Sequence, residues 1–209
     1  MKNITWLFVL LALVSCNKEP KVLPFDNSII QDTILNVVIR PVHPNLLTDK
    51  TDSLKLYYEK LNFHEIWYAD ENRKDLINEI KFCYKEGLKP DDYKIKIIEE
   101  LEEKRAELKD DEIIKYDILL TETFEKLSNH LYKGKLNPKE LYSDWDLNPK
   151  EIALSNLLKK GIKEKKIAST FNALKPNHIV YKLLKKSLLE INKLPNISFQ
   201  KIEIKNKII

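Results

Sequence analysis

The chain contains only three glycines among its 209 residues, and this scarcity restricts the folds that it can adopt. A sheet with many tight turns, or a phosphate-binding loop, needs more residues that tolerate positive φ. Gly87, Gly134 and Gly161 each follow apolar residues that are spaced as on one face of a helix. Glycine is common just beyond a helix C-terminus, so the sequence predicts three helices that end at these positions.

Prolines give the matching signal for helix starts. A Leu-Lys-Pro or Leu-Asn-Pro triplet occurs four times, ending at Pro90, Pro138, Pro149 and Pro176. Proline suits the first turn of a helix, because the N–H that it lacks would have no partner there. We therefore predict an all-α, multi-helix domain over residues 46–194.

The composition excludes several classes of protein. With 43% hydrophobic residues, the chain is too apolar to be disordered. Lys and Arg number 36 against 32 Asp and Glu, a nearly balanced count that indicates a solvated surface rather than a nucleic-acid interface. The four histidines lack the spacing of a metal site, and no cofactor motif is present. We predict no nucleic-acid partner, no metal and no cofactor.

The N-terminus carries a targeting signal. Residues 4–14 form an apolar run that is too short to cross a bilayer but fits the core of a signal peptide. The run ends in Leu-Val-Ser-Cys16, which resembles the cleavage site of bacterial lipoproteins. This resemblance implies a signal peptide over residues 1–15, cleavage before Cys16 and lipidation of Cys16. The alternative is a chance cysteine after a secretory signal.

The segments on either side of the helical body have a different composition. Residues 16–45 hold four of the nine prolines and predict an extended tether. Within the tether, the β-branched residues 34–39 predict an arm that packs on the body, or a short strand. Residues 195–209 form a tail that is rich in lysine and isoleucine. We expect a short strand or a frayed end there.

Few residues of the helical body are candidates for catalysis or ligand binding. Cys83 lies on the apolar face of its predicted helix, which favours a buried structural thiol over a nucleophile. Asp117 also lies on an apolar helix face, where an ionised carboxylate must be paired or hydrogen-bonded. We favour a buried strut that ties a neighbouring loop. A general acid or a ligand is the alternative.

Four aromatic residues lie near predicted loops. They are Trp67, Tyr68, Tyr142 and Trp145. Such residues commonly close the ends of a helical core, but they can also stack on sugars or contact a partner.

A set of segments in a fixed order resembles the helical scaffold domain of the large, YcbB-like L,D-transpeptidases. The segments are LNFHEIWY at 61–68, GLKPDDY at 87–93, DILLTETF at 117–124, GKLNP at 134–138 with Trp145, and LKPNHIVYKLL at 174–184. The resemblance covers about residues 50–190. It implies a peptidoglycan protein of a family that makes 3→3 cross-links, through a downstream catalytic domain with a Ser-x-Gly-Cys motif and a His-Gly motif.

The chain departs from that family in its catalytic motifs. No glycine precedes either cysteine, Cys83 does not match the catalytic cysteine, and no histidine is followed by glycine. No catalytic residue can therefore be carried over, and we expect no activity from this chain alone. We expect a membrane-anchored envelope lipoprotein that faces the periplasm rather than the cell surface, as either a truncated gene product or a stand-alone scaffold. The alternative is a non-enzymatic lipoprotein that binds peptidoglycan or a protein of cell-wall synthesis.

Overall fold

A computed structural model describes residues 39–142, 144 and 151–194. All regular structure in this part of the chain is helical, as the sequence predicts, and the one β-bridge joins Pro41 to His64. The α-helices are α1 (Asp52–Lys60), α2 (Asp70–Phe82), α3 (Ile95–Glu103), α4 (Asp110–Lys133), α5 (Pro138–Leu141), α6 (Leu154–Glu164), α7 (Ile167–Leu174) and α8 (Ile179–Ile191). Short 3-10 turns lie at Pro44–Leu47, Cys83–Glu86, Pro90–Tyr93 and Arg105–Glu107. The predicted signal peptide and tail lie outside the described residues.

Helix α4 is the centre of the body. Its first turn holds three acidic residues, which suit the positive end of the helix dipole, and Gly134 ends it with φ 94°. Its apolar face buries Leu120, Phe124 and Leu127. Helices α1, α2, α3 and α7 pack against α4, and α6 packs against α1 and α7. The core therefore lies around one long helix.

Two of the three glycines end helices as predicted. Gly87 follows α2 and its 3-10 turn in the left-handed conformation, and Gly134 follows α4. The prediction for Gly161 was wrong, because α6 continues through it to Glu164. A Cβ on Gly161 would lie 2.6 Å from Oγ1 of Thr170, which belongs to α7. Glycine at this position permits the close approach of two helices.

The prediction that prolines mark helix starts is confirmed at two positions and wrong at a third. Pro90 begins a 3-10 turn and Pro138 begins α5, as predicted. The prediction for Pro176 was wrong, because α8 begins three residues later, at Ile179. The ring of His178 caps α8 by accepting the N–H of Val180 at 3.2 Å. Pro149 lies outside the described residues.

The residues just before the body pack against it. The N–H of Val42 donates to the carbonyl of Phe63 at 2.6 Å, and the N–H of Glu65 donates to the carbonyl of Arg40 at 2.8 Å. Val42 is itself buried. The end of the predicted tether thus lies beside the loop between α1 and α2, while residues 34–38 are outside the described part.

Candidate functional site

Asp117, which the sequence predicts to be a buried carboxylate, lies inside the helical body. Helix α4 presents it to the loop between α1 and α2, and the residue is 2% exposed. Its Oδ1 accepts the backbone N–H groups of Ile66 at 2.9 Å and Trp67 at 2.6 Å. Its Oδ2 accepts the hydroxyl of Tyr58, on α1, at 2.7 Å. One side chain thereby joins two helices and a loop.

Burial raises the pKa of Asp117 to about 7, although the bonds from Trp67, Tyr58 and Ile66 favour the ionised form. Each carboxylate oxygen faces protein donors, and the side chain has almost no solvent contact. A group so placed cannot touch a substrate. The geometry therefore suits a strut that positions the loop, not a general acid or a ligand.

The indole of Trp67 points into the core beside this carboxylate. Its Nε1 donates to Oγ1 of Thr121 at 3.0 Å, and its ring packs against Phe124 with centroids 6.1 Å apart. Trp67 is 1% exposed. The residue closes the core and offers no face on which a sugar could stack.

A buried arginine binds the same loop from the other side. Arg73, on α2, donates from one nitrogen to the carbonyl oxygens of Trp67 and Tyr68, both at 2.9 Å. Its Nε lies 2.9 Å from a carboxylate oxygen of Glu102, which also accepts the hydroxyl of Tyr116. The guanidinium therefore has partners in the loop and on α3.

A second buried ionic group lies in the middle of the loop. The carboxylate of Glu65 binds Arg105 at 2.7 Å and Arg40 at 3.3 Å. Arg40 also binds Asp110 at the start of α4. Glu65 and Arg73 could not be identified from the sequence, because their carboxylate and guanidinium partners in other elements are 25 to 40 residues away.

The other aromatic candidates do not join Trp67 in one exposed set. Tyr68 is half-buried at the end of the loop, and Tyr142 is exposed just after α5. Trp145 lies outside the described residues, as does Cys16. The prediction of a sugar or partner contact is wrong for Trp67, whose ring is buried, and for Tyr68, Tyr142 and Trp145 it stays a prediction.

The thiol of Cys83 lies at the end of α2. The residue is 3% exposed, and burial raises its pKa to about 12. A nucleophilic cysteine needs the opposite environment, one that is accessible and stabilises the thiolate. Within the described residues, no group of His, Cys, Asp and Glu could hold a metal ion, and no helix is both long and apolar enough to cross a bilayer.

Helix α8 lies on the surface of the body. None of its residues is buried, although it is rich in aliphatic side chains. Polar contacts attach it: the carboxylate of Glu86 accepts the hydroxyl of Tyr181 and binds Lys185, each at 2.5 Å. Lys175 lies 3.6 Å from the same carboxylate. Burial would raise the pKa of Glu86, but these donors outweigh it and lower the pKa below its ordinary value.

Comparison with known families identifies the body. A family model described as a Scaffold domain matches residues 52–188, which is more than half of the chain. The match begins at α1 and ends inside α8. No curated protein and no solved structure matches the chain.

Proposed function

The chain belongs to the Scaffold domain family, and we propose that it acts as the non-catalytic scaffold of an L,D-transpeptidase that forms 3→3 cross-links in peptidoglycan. The observation that carries this proposal is the family match over residues 52–188. The match is consistent with the scaffold domain of L,D-transpeptidases, the resemblance that the sequence motifs indicate.

The environment of Cys83 supports a non-catalytic role. L,D-transpeptidases use a cysteine nucleophile, and within the described residues Cys83 is the one cysteine. Its thiol is buried and its pKa is raised, so the thiolate that would attack a peptide carbonyl is disfavoured. In this proposal the catalytic cysteine belongs to a separate transpeptidase module that the helical body positions.

The proposal also gives the protein a place in the cell. Lipidation of Cys16 would anchor the chain in a membrane of the envelope, and residues 16–45 would let the body reach the wall. The partners are then peptidoglycan and the proteins that build it. Labelling of cells with a radioactive fatty acid, compared between the wild type and Cys16→Ala, would test the anchor.

Two assays test the scaffold role. Purified protein mixed with tetrapeptide muropeptides should yield no 3→3 dimers, and dimer formation that a β-lactam blocks would overturn the non-catalytic assignment. Deletion of the gene should lower the fraction of 3→3 dimers in isolated sacculi. A copy of the wild type should restore that fraction, and so should Cys83→Ala, because the thiol is not the nucleophile. An unchanged fraction in the deletion strain would contradict the scaffold role.

A further inference from the structure

Helix α8 presents an aliphatic surface to solvent. We propose that this surface binds the headgroup region of an anionic phospholipid membrane. The outward face of α8 is defined by four side chains that are 52% to 65% exposed: Val180, Leu183, Leu184 and Ile191. Leu194, just beyond the end of the helix, is also exposed. Adjoining exposed aliphatic side chains usually mark an interaction site, because exposed aliphatic residues on the surface of a monomeric soluble protein are usually isolated from one another.

The contacts between α8 and the body determine which face of the helix points to solvent. Tyr181 and Lys185 bind Glu86, and Leu188 lies 3.8 Å from the position of a Cβ on Gly87. These residues are spaced by three and four, so they share the face toward the body. Val180, Leu184 and Ile191 have helical spacing on another face and remain exposed.

The charges around the outward face are mainly basic. Lys182, Lys186 and Lys193 are exposed along α8 and just beyond it. The one acidic residue of this segment, Glu190, binds Lys193 at 2.9 Å. An amphipathic helix of this kind binds a membrane in two ways. Its aliphatic side chains insert among the lipids, and its lysines attract the acidic headgroups.

The same charges argue against a second copy of the chain as the occupant. Two outward faces in contact would bring lysines together, with one acidic residue on each side to offset them. A bilayer that contains acidic lipid offers both an apolar layer and negative charge. This inference depends on α8 alone and is independent of the proposed scaffold function.

Vesicle co-sedimentation tests the proposal. The sample is the chain that the predicted cleavage would leave, starting at position 16 with Cys16→Ser so that no acyl chain is attached. We expect it to sediment with vesicles of phosphatidylcholine and phosphatidylglycerol, and much less with phosphatidylcholine alone. Added salt should weaken the binding, because the headgroup attraction is screened.

Substitutions in α8 show whether its outward face is responsible. Leu184→Gln combined with Ile191→Gln should abolish sedimentation. Lys182→Gln and Lys186→Gln should each weaken binding to the acidic vesicles by about fivefold. The matched control is Leu136→Gln with Leu141→Gln, which removes two exposed aliphatic side chains elsewhere and should leave binding unchanged. Circular dichroism establishes that each variant retains its helices.

Three outcomes would overturn the proposal. The wild type could fail to bind acidic vesicles at low salt. Binding could persist in the variant with Leu184→Gln and Ile191→Gln, which would place the contact elsewhere in the chain. Finally, the wild type could form dimers that this variant lacks while neither binds vesicles, which would assign the outward face to a second copy.

Discussion

Asp117 and Arg73 bind the same peptide segment, one as a hydrogen-bond acceptor and the other as a donor. The carboxylate of Asp117 accepts the N–H of Trp67 at 2.6 Å, and the guanidinium of Arg73 donates to the carbonyl oxygen of Trp67 at 2.9 Å. The backbone of Trp67 must be buried because its indole fills the core, so its polar groups need partners other than water. Helices α4 and α2 supply them.

Replacing Asp117 by Ala should destabilise the fold. The change leaves the N–H groups of Ile66 and Trp67 and the hydroxyl of Tyr58 without their acceptor, at a total cost of about 4 kcal/mol in the free energy of unfolding. Urea unfolding measures this cost. Lys115→Ala is the control, because Lys115 lies on the exposed side of the same helix and its exposed ion pair should change stability by less than about 0.5 kcal/mol. Equal stability of the two variants would contradict the strut role.

The same carboxylate should make stability depend on pH. Its folded pKa of about 7 lies above the ordinary value, so its contribution is greatest at low pH and is lost as the pH rises from about 4 to about 7. Asp117→Asn does not titrate, and its stability relative to the wild type should rise over this range by up to about 4 kcal/mol. Unfolding curves at several pH values measure the difference. If the difference in stability between the two proteins did not change with pH, the hydrogen bonds would be keeping Asp117 ionised in the folded protein over the whole range from about pH 4 to about pH 7.

The sequence alone was enough to predict the helical class and the buried face that holds Asp117. Gly87 and Pro138 act locally, so their effects on helix ends can be read from neighbouring residues. The roles of Gly161 and Arg73 could not be predicted from neighbouring residues. Glycine is needed at position 161 because α7 approaches closely there. Arg73 is buried because it pairs with groups that include Glu102 on α3. Such contacts depend on how helices pack, which no local pattern encodes.

Arg73→Met should also destabilise the protein, even though Met retains the apolar part of the side chain. The change removes the donors to the carbonyls of Trp67 and Tyr68 and the partner of Glu102, and we expect a loss of about 3 kcal/mol. Lys74→Met is the control, because its ion pair with Asp70 is exposed and should contribute little. Thermal and urea unfolding of both variants would measure the effect. Similar losses in the two would show that burial of Arg73 adds nothing.

Gly161→Ala should destabilise the contact between α6 and α7. The added Cβ would meet Oγ1 of Thr170 at 2.6 Å, and the resulting shift should cost about 2 kcal/mol despite the better helix propensity of alanine. Thr170→Ala removes that oxygen, so Gly161→Ala should cost less in the Thr170→Ala background. A double-mutant cycle by urea unfolding tests this coupling. Strict additivity would place the strain elsewhere.

Cys83 should react with a thiol reagent only when the protein unfolds. In the chain with Cys16→Ser it is the single thiol, it is 3% exposed, and its pKa is raised to about 12. At about pH 8 a group with that pKa is a thiolate in roughly one molecule in ten thousand, and burial keeps the reagent away. Absorbance with a disulfide reagent should show slow labelling in buffer and fast labelling in urea. Fast labelling of the folded chain would mean an accessible, activated thiol, and it would reopen the assignment of this cysteine as structural.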